Sequence, residues 1–331
     1  MAAFVAANGW GGASPALLAD DASFRRYFRL RAETRRAVLM DAPPPRENIG
    51  PYVTIAELLR SYGLSAPEIY AGNREHGFLL LEDFGDDTYT RLLARGADET
   101  ALYTLAIDAL THLQRAVPRA ARPDVPAYDE PFLLTEAGLL VEWYAPEVLG
   151  APLPEAAREA YIEVWRRLLL LAELPPTLVL RDFHVDNLML LPGRAGVRAC
   201  GLLDFQDARW GPPSYDLVSL LYDARRDLPA RLVAAMTERY LAAFPDIDRT
   251  AFRRSAAILN AQRSCKIVGL FTRLSRRDGK PQYLRHLPRV WRLIEEAAID
   301  PVLAPLAEWL DRHIPKRLRL APGPGRGVSA A

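Results

Sequence analysis

The feature that most constrains this chain is a pair of short apolar runs bracketing a polar loop near its middle. Leu178-Val179-Leu180 leads into Arg181-Asp182-Phe183-His184-Val185-Asp186-Asn187, and Leu188-Met189-Leu190-Leu191 leads out. Pro192-Gly193-Arg194-Ala195-Gly196 is a turn cluster, and the apolar stretch 197–203 returns to Asp204. Two such runs around a turn read as a hairpin. A hairpin sets its two ends side by side, so Asn187 and Asp204 are expected together at one sheet edge. An Asp five positions ahead of an Asn is common by chance. Requiring the hairpin and the second Asp as well makes chance a poor account.

The spacing of Asp182, Asn187 and Asp204 resembles the catalytic and metal-binding loops of kinases. The resemblance implies that Asp182 meets the acceptor hydroxyl, while Asn187 and Asp204 hold Mg²⁺ against the phosphates of ATP. Leu180-Arg181-Asp182-Phe183-His184-Val185-Asp186-Asn187 and Asp204-Phe205-Gln206-Asp207-Ala208-Arg209-Trp210-Gly211-Pro212-Pro213-Ser214-Tyr215-Asp216-Leu217 resemble the aminoglycoside phosphotransferase and choline kinase superfamily. That implies an α+β, bilobal protein-kinase-like fold: a small, mainly β N-lobe over residues 1–84 and a larger, mainly α C-lobe over 85–320. Asp21-Ala22-Ser23-Phe24-Arg25-Arg26-Tyr27-Phe28-Arg29, Met40-Asp41-Ala42-Pro43-Pro44, Gln262-Arg263 and Arg277-Asp278-Gly279-Lys280 resemble the bacterial anomeric kinases of N-acetylmuramate and N-acetylglucosamine. The implied activity is phosphorylation of the C1 hydroxyl of those amino sugars, in cell-wall sugar recycling. Two other readings stay open. One is a kinase of another small alcohol, such as choline or an aminoglycoside. The other is a non-catalytic kinase-like binding module.

Composition narrows the partners. A formal net charge of +1 over 331 residues supplies no field to draw the chain to nucleic acid or to a membrane. No run approaches the length of an apolar span, and residues 1–7 lack the basic start of a signal peptide. Cys200 and Cys265 have no metal or redox spacing and read as reduced thiols. The expectation is a cytoplasmic monomer acting on small molecules, with a disordered tail over 321–331.

The coarse pattern fits two lobes. Residues 26–31 and 37–40 flank a polar turn as a hairpin, 51–62 carry a helical stripe, and 78–81 form a strand. Helix-length patterns follow over 101–116, 155–174, 215–224, 232–244, 254–274 and 287–297.

For the nucleotide, residues 21–29 stand where kinases have a Gly-rich loop but contain no glycine. Ser23, Phe24, Arg25, Arg26 and Arg29 are the candidates there. Met40 stands where the superfamily has a strand Lys or Arg, and Glu57 is the candidate for its helix Glu partner. Arg29, then Arg26, is expected to supply the missing charge. Leu80-Leu81-Glu82-Asp83-Phe84-Gly85 resembles the inter-lobe hinge, with Glu82 and Phe84 offering main-chain groups to adenine.

For the acceptor, His184, Gln206, Asp207 and Arg209 flank the catalytic residues. Glu142-Trp143-Tyr144 offers aromatic faces beside a carboxylate, as a sugar ring favours. Arg263 and Lys266 share a face of a basic helix that suits a substrate carboxylate. Asp216 is expected to be structural, capping a helix from residue 217.

Overall fold

The computed structural model describes residues 1–20, 24–33, 35–118 and 122–323, the side chains of 19 and 20 excepted. Along the chain the elements are α1 (Ala2–Val5), β1 (Ala16–Asp20), β2 (Arg26–Ala32), β3 (Arg35–Asp41), α2 (Gly50–Ser61), β4 (Ile69–Asn73), β5 (Phe78–Glu82), α3 (Tyr89–Ala94), α4 (Glu99–Ala116), α5 (Glu130–Leu139), α6 (Ala145–Leu149), α7 (Glu155–Leu171), β6 (Thr177–Val179), β7 (Leu188–Leu190), β8 (Cys200–Leu202), β9 (Arg209–Gly211), α8 (Ser214–Leu221), α9 (Ala230–Ala242), α10 (Arg249–Arg276), α11 (Leu287–Ala297) and α12 (Ala304–His313). The chain divides into two compact units. One comprises Met1–Pro118 with Leu180–Ala208, the other Arg119–Val179 with Arg209–Ala331. Residue 84, the expected lobe boundary, falls inside the first unit, which also takes in the polar loop.

The first unit is built on an antiparallel sheet of order β1-β2-β3-β5-β4. Its register pairs Tyr27 with Met40, Phe28 with Leu39, Arg29 with Val38, and Val38 with Leu81. Directly paired residues share a face and alternate along each strand. One face therefore carries Tyr27, Arg29, Val38, Met40 and Leu81. The other carries Phe28, Leu30, Ala37, Leu39 and Leu80, and Val5 and Trp10 of the N-terminal segment cover it. β4 escaped the sequence pattern because Ile69-Tyr70-Ala71-Gly72-Asn73 is a half-exposed edge strand with no apolar alternation. α2 has Pro51 in its first turn and buries Tyr52, Ile55, Ala56 and Leu59, an i, i+3, i+4, i+7 stripe.

The hairpin is present as β7 and β8, paired from Leu188↔Leu202 to Leu190↔Cys200. Its returning strand is shorter than expected, because Gly196–Ala199 form a 3₁₀ turn that starts on a positive-φ glycine. Backbone bonds dock the hairpin within this unit. The Leu202 amide donates to the Ser65 carbonyl at 2.8 Å, and the Leu190 amide donates to Asp87 at 2.9 Å.

The second unit is helical apart from the small β6–β9 ladder. Its spine is α10, capped by Asp248, which accepts from the Thr250 and Ala251 amides. Gly269 lets α10 reach the end of α5: a Cβ there would stand 2.2 Å from the Leu139 carbonyl oxygen. The core around α10 includes Tyr144, Tyr161, Trp165, Phe271 and Trp291. Residues 324–331 of the expected tail lie outside the described residues. Among the described residues no helix is long and apolar enough to cross a membrane.

Candidate active site

The polar loop turns on two strained residues. Arg181 has φ 70° and Asp204 φ 55°, the left-handed region that costs a side-chain-bearing residue energy. The turn at Asp204 brings its carboxylate within 3.3 Å of the Asn187 amide nitrogen. The same nitrogen donates to the Asp182 carbonyl oxygen at 2.9 Å, and the Leu203 amide donates to the Asn187 carbonyl at 2.9 Å. Asp182, Asn187 and Asp204 are thus tied into one cluster, as the hairpin spacing predicts. Asn187 thus turns its amide nitrogen to both acceptors, and its amide and the Asp204 carboxylate each carry a side-chain oxygen. Two hard oxygen donors of this kind suit Mg²⁺.

The neighbours of the cluster are braces. Gln206 is buried, and its amide donates to the other Asp204 oxygen at 2.7 Å. It therefore orients the candidate metal ligand, where a sugar contact was expected. His184 is buried with Nε2 3.4 Å from the Asn187 amide nitrogen. Asp207 is exposed, and its carbonyl accepts weakly from Arg181 at 3.4 Å. Phe205 packs on Tyr52 of α2 at 4.9 Å between ring centroids, tying the Asp204 turn to the helix.

A cavity of about 370 Å³ opens beside the cluster, wholly within the first unit. Glu82, Asp83, Phe84 and Gly85 line one part of it, and Asn187, Asp186 and Asp204 line another. Leu18, Tyr27, Val38, Tyr52, Leu81 and Met189 form apolar and aromatic walls. Phe84 lies just past the last residue of β5, so its amide is outside the ladder. The side chain of Glu82 is engaged by Arg194, whose guanidinium also lies 5.2 Å from the centre of the Phe84 ring.

The arginines are distributed differently from the expectation. Arg29 points to the hinge, not to the metal cluster. Its guanidinium lies 2.8 Å from Asp83 and from Asp86 and donates to the Gly85 carbonyl at 2.8 Å. In turn Asp86 is held below the usual carboxylate range, chiefly by its hydrogen bond from Arg29. Arg26 is on the opposite face of the sheet, 2.5 Å from the buried Asp41. Strand parity decides the outcome for Arg26, and the carboxylates of Asp83 and Asp86 decide it for Arg29. Met40 is buried against Leu79 and Tyr27 and is not part of the cavity lining. Glu57 is exposed, off the buried stripe of α2. The residue that meets an arginine is Glu47, with Oε2 2.9 Å from the Arg25 Nε. Phe24 is exposed and lies under Arg46. Ser23 lies outside the described residues.

In the second unit most acceptor candidates have structural partners. The ring of Tyr144 is fully buried against Trp291, and its hydroxyl donates to the Leu318 and Leu320 carbonyls, so it has no face to offer a sugar. Trp143 is half-buried and Glu142 exposed. Arg209 donates to the Ala127 carbonyl and stacks 3.5 Å from the Phe132 ring centre. Lys266 is 2.6 Å from Glu136, whose other oxygen accepts from the Tyr128 hydroxyl at 2.6 Å. Arg276 is similarly paired with Glu147, and Arg277 with Asp278. Arg263 differs. It is only 5% exposed and has no hydrogen bond or ion pair with any described residue. Arg273 has a buried Nε with no partner, and desolvation lowers its pKa. Asp216 is fully buried but does not cap a helix. α8 begins at Ser214 with Pro213 at the cap, which leaves Asp216 in the first turn.

Comparison with known proteins follows the same lines. Residues 16–253 match the model of the phosphotransferase enzyme family that includes the aminoglycoside phosphotransferases. The chain belongs to this family. The N-acetylmuramate/N-acetylglucosamine kinase of Caulobacter vibrioides is 37% identical, over 96% of this chain and 97% of its own length. The protein of the same name from Pseudomonas aeruginosa is 40% identical over 92% and 90%. Among solved structures, a choline/ethanolamine kinase family protein from Mesorhizobium loti superposes with a TM-score of 0.61 at 14% identity, covering 92% of this chain and 94% of that one. The ADP-bound aminoglycoside phosphotransferase APH(2'')-Ib gives 0.58 at 16%, covering 86% and 94%. The fold is therefore the kinase-like α+β fold, and the protein is a kinase that uses a nucleotide.

Proposed function

We propose that this protein transfers the γ-phosphoryl group of ATP to the anomeric hydroxyl of N-acetylmuramate and N-acetylglucosamine, giving sugar 1-phosphates for cell-wall recycling. One observation carries the reading. Asn187 and Asp204, tied to the Asp182 backbone, line a cavity of about 370 Å³ in a chain 36–40% identical over most of its length to relatives named for these two sugars. That cluster also weighs against a non-catalytic binding module.

Asp182 orients the acceptor hydroxyl and takes its proton as the new P–O bond forms. An anomeric hydroxyl is more acidic than an ordinary alcohol, which eases that demand. Asn187 and Asp204 would hold Mg²⁺, which when bound neutralises phosphate charge. Gln206 and the Asp182 carbonyl keep these two side chains aimed before the nucleotide arrives. Adenine is read by the Glu82 carbonyl and the Phe84 amide. Arg263, a buried cation without a partner, suits the lactyl carboxylate of N-acetylmuramate. A cationic acceptor such as choline would instead need an acidic or aromatic cage. The two buried free thiols suit a reducing compartment, and we place the enzyme in the cytoplasm as a monomer.

An acceptor screen with ATP and Mg²⁺ tests the reading, with methyl N-acetylglucosaminide as the deciding control. The free sugar should be phosphorylated and the methyl glycoside, whose C1 oxygen is blocked, should not. Equal use of both would move the transfer to another hydroxyl. Preference for an aminoglycoside or choline would remove the sugar assignment. Asp182→Asn should lower turnover by about 10²- to 10⁴-fold with ATP affinity retained.

A further inference from the structure

A triphosphate brings several negative charges to the Asn187–Asp204 end of the cavity, and the strand position that would meet them carries the buried thioether of Met40. Two of the arginines on the first two long strands are committed elsewhere. Arg29 is held by Asp83, Asp86 and Gly85 at the hinge end, and Arg26 faces away with Asp41. Arg91, which also lines the cavity, bonds Asp86 at the hinge end as well.

Arg25 is placed otherwise. It lies just ahead of β2, two residues before Tyr27, which faces the cavity. Its Nε lies 2.9 Å from Glu47 Oε2, while Glu47 Oε1 accepts from the Phe24 amide at 3.1 Å. One carboxylate thus fixes both the guanidinium and the backbone that carries it, and both side chains are largely buried. The electrostatic neighbours of Arg25 include Tyr27, Glu47 and Asp207. The hydroxyl of Tyr52, a cavity wall residue, feels both Asp204 and Arg25. Arg25 thus lies near Tyr52 and Asp207, just outside the residues that line the cavity, whereas Arg29 is held at the hinge.

We propose that Arg25, aimed by Glu47, is the cation that meets the nucleotide phosphates, and that this pair replaces the Lys–Glu pair lost at Met40. The cation has moved from the end of β3 to the entry of β2, and its carboxylate from α2 to the loop ahead of it. An arginine suits the longer reach, because its planar fork binds phosphate oxygens in pairs while a carboxylate holds the Nε edge. Arg25 contacts the substrate; Glu47 is a positioning residue. The inference rests on the nucleotide half of the proposed function and is independent of the sugar.

The test measures binding of ATP, ADP and adenosine by calorimetry, with Mg²⁺ and without sugar. Arg25→Met should weaken ATP about 10- to 100-fold, the range of a hydrogen bond to a charged group, and leave adenosine unchanged. Arg25→Lys, which keeps the charge but not the fork, should recover part of the ATP affinity. Glu47→Gln should raise the ATP KM several-fold with little change in kcat or in the sugar KM. A pair that only braces the loop predicts a parallel loss for ATP and adenosine, or no loss, and either result overturns the proposal. Should Arg25→Met fail to fold, the ATP-to-adenosine affinity ratio in Arg25→Lys and Glu47→Gln decides. A negative sugar screen with a large Arg25 effect on ATP would sink the acceptor assignment and keep this one.

Discussion

Arg29 in the first unit and Arg263 in the second are almost equally buried, 6% and 5% exposed, yet they are treated in opposite ways. Two carboxylates and a carbonyl surround the Arg29 guanidinium. No described residue pairs with that of Arg263. Burying a guanidinium costs several kcal/mol unless charge or hydrogen bonds compensate. The first unit meets that cost within the folded chain, so its charges are in place before a ligand arrives. The second leaves the largely buried Arg263 guanidinium without a described protein partner, open to solvent or to an anion from outside the chain. Pre-organisation at the nucleotide end and an open demand at Arg263 are consistent with one substrate shared by many enzymes and another particular to this group.

The sharpest way to break the contrast is Arg29→Met. It would leave the buried Asp83 carboxylate with only the Gly85 amide and a 4.0 Å contact to Arg36, and loss of the main partner from a buried pair costs about 3–5 kcal/mol. Chemical denaturation should show a loss of that order. A change below about 1 kcal/mol would mean that the hinge cage is solvent-screened and the contrast unreal.

A smaller effect is expected from Gly269→Ala. The new Cβ would stand 2.2 Å from the Leu139 carbonyl oxygen, on the same helix as Arg263. Overpacking of this kind costs about 1–3 kcal/mol. It should lower the melting temperature and spare nucleotide affinity. Parallel loss of both would show that the nucleotide site depends on the packing of α10.

Arg263→Met should do the reverse of Arg29→Met, raising stability by about 1 kcal/mol because an uncompensated charge is removed. The KM for N-acetylmuramate should rise while that for N-acetylglucosamine, which lacks the carboxylate, stays put. Destabilisation would mean that Arg263 has a structural partner and would end its assignment as the anion contact.

The smallest difference is expected for the thiols. Burial pushes Cys200 in the first unit and Cys265 in the second up to about 12. Both should resist a thiol reagent at neutral pH in the native protein and react once it is unfolded. Their folded pKa values are raised, so the stability they contribute is intact below the unfolded value near 9 and is lost as pH rises toward 12. Fast labelling of either thiol at neutral pH would show that its unit opens locally.

Much of the site was legible because it is local. Four residues separate Asp182 from Asn187, and one hairpin separates Asn187 from Asp204. Apolar runs and a Pro-Gly turn suffice to read that hairpin. The helix α2 was equally plain, but its buried face is Tyr52, Ile55, Ala56 and Leu59, where the apolar pattern suggested Val53, Ile55, Leu58 and Leu59, and that face leaves Glu57 exposed. The roles of the arginines were not legible. Whether Arg25, Arg26 or Arg29 faces the cavity depends on strand parity, and a shift of one residue exchanges the faces. Gln206 and Tyr144 were misplaced for a related reason. Their side chains suit a ligand or an internal partner equally well, and only packing selects between the two.

The sequence by itself determined that this protein is a kinase of its family, because the residues of the candidate site lie within one continuous stretch of chain whose backbone path its own turns dictate. Only the tertiary structure decided which cations are committed and which remain available. Glu47 meets Arg25 across 22 residues, and Asp83 and Asp86 meet Arg29 across more than 50. Pairings over such separations follow from sheet register and helix docking, and no local pattern encodes them.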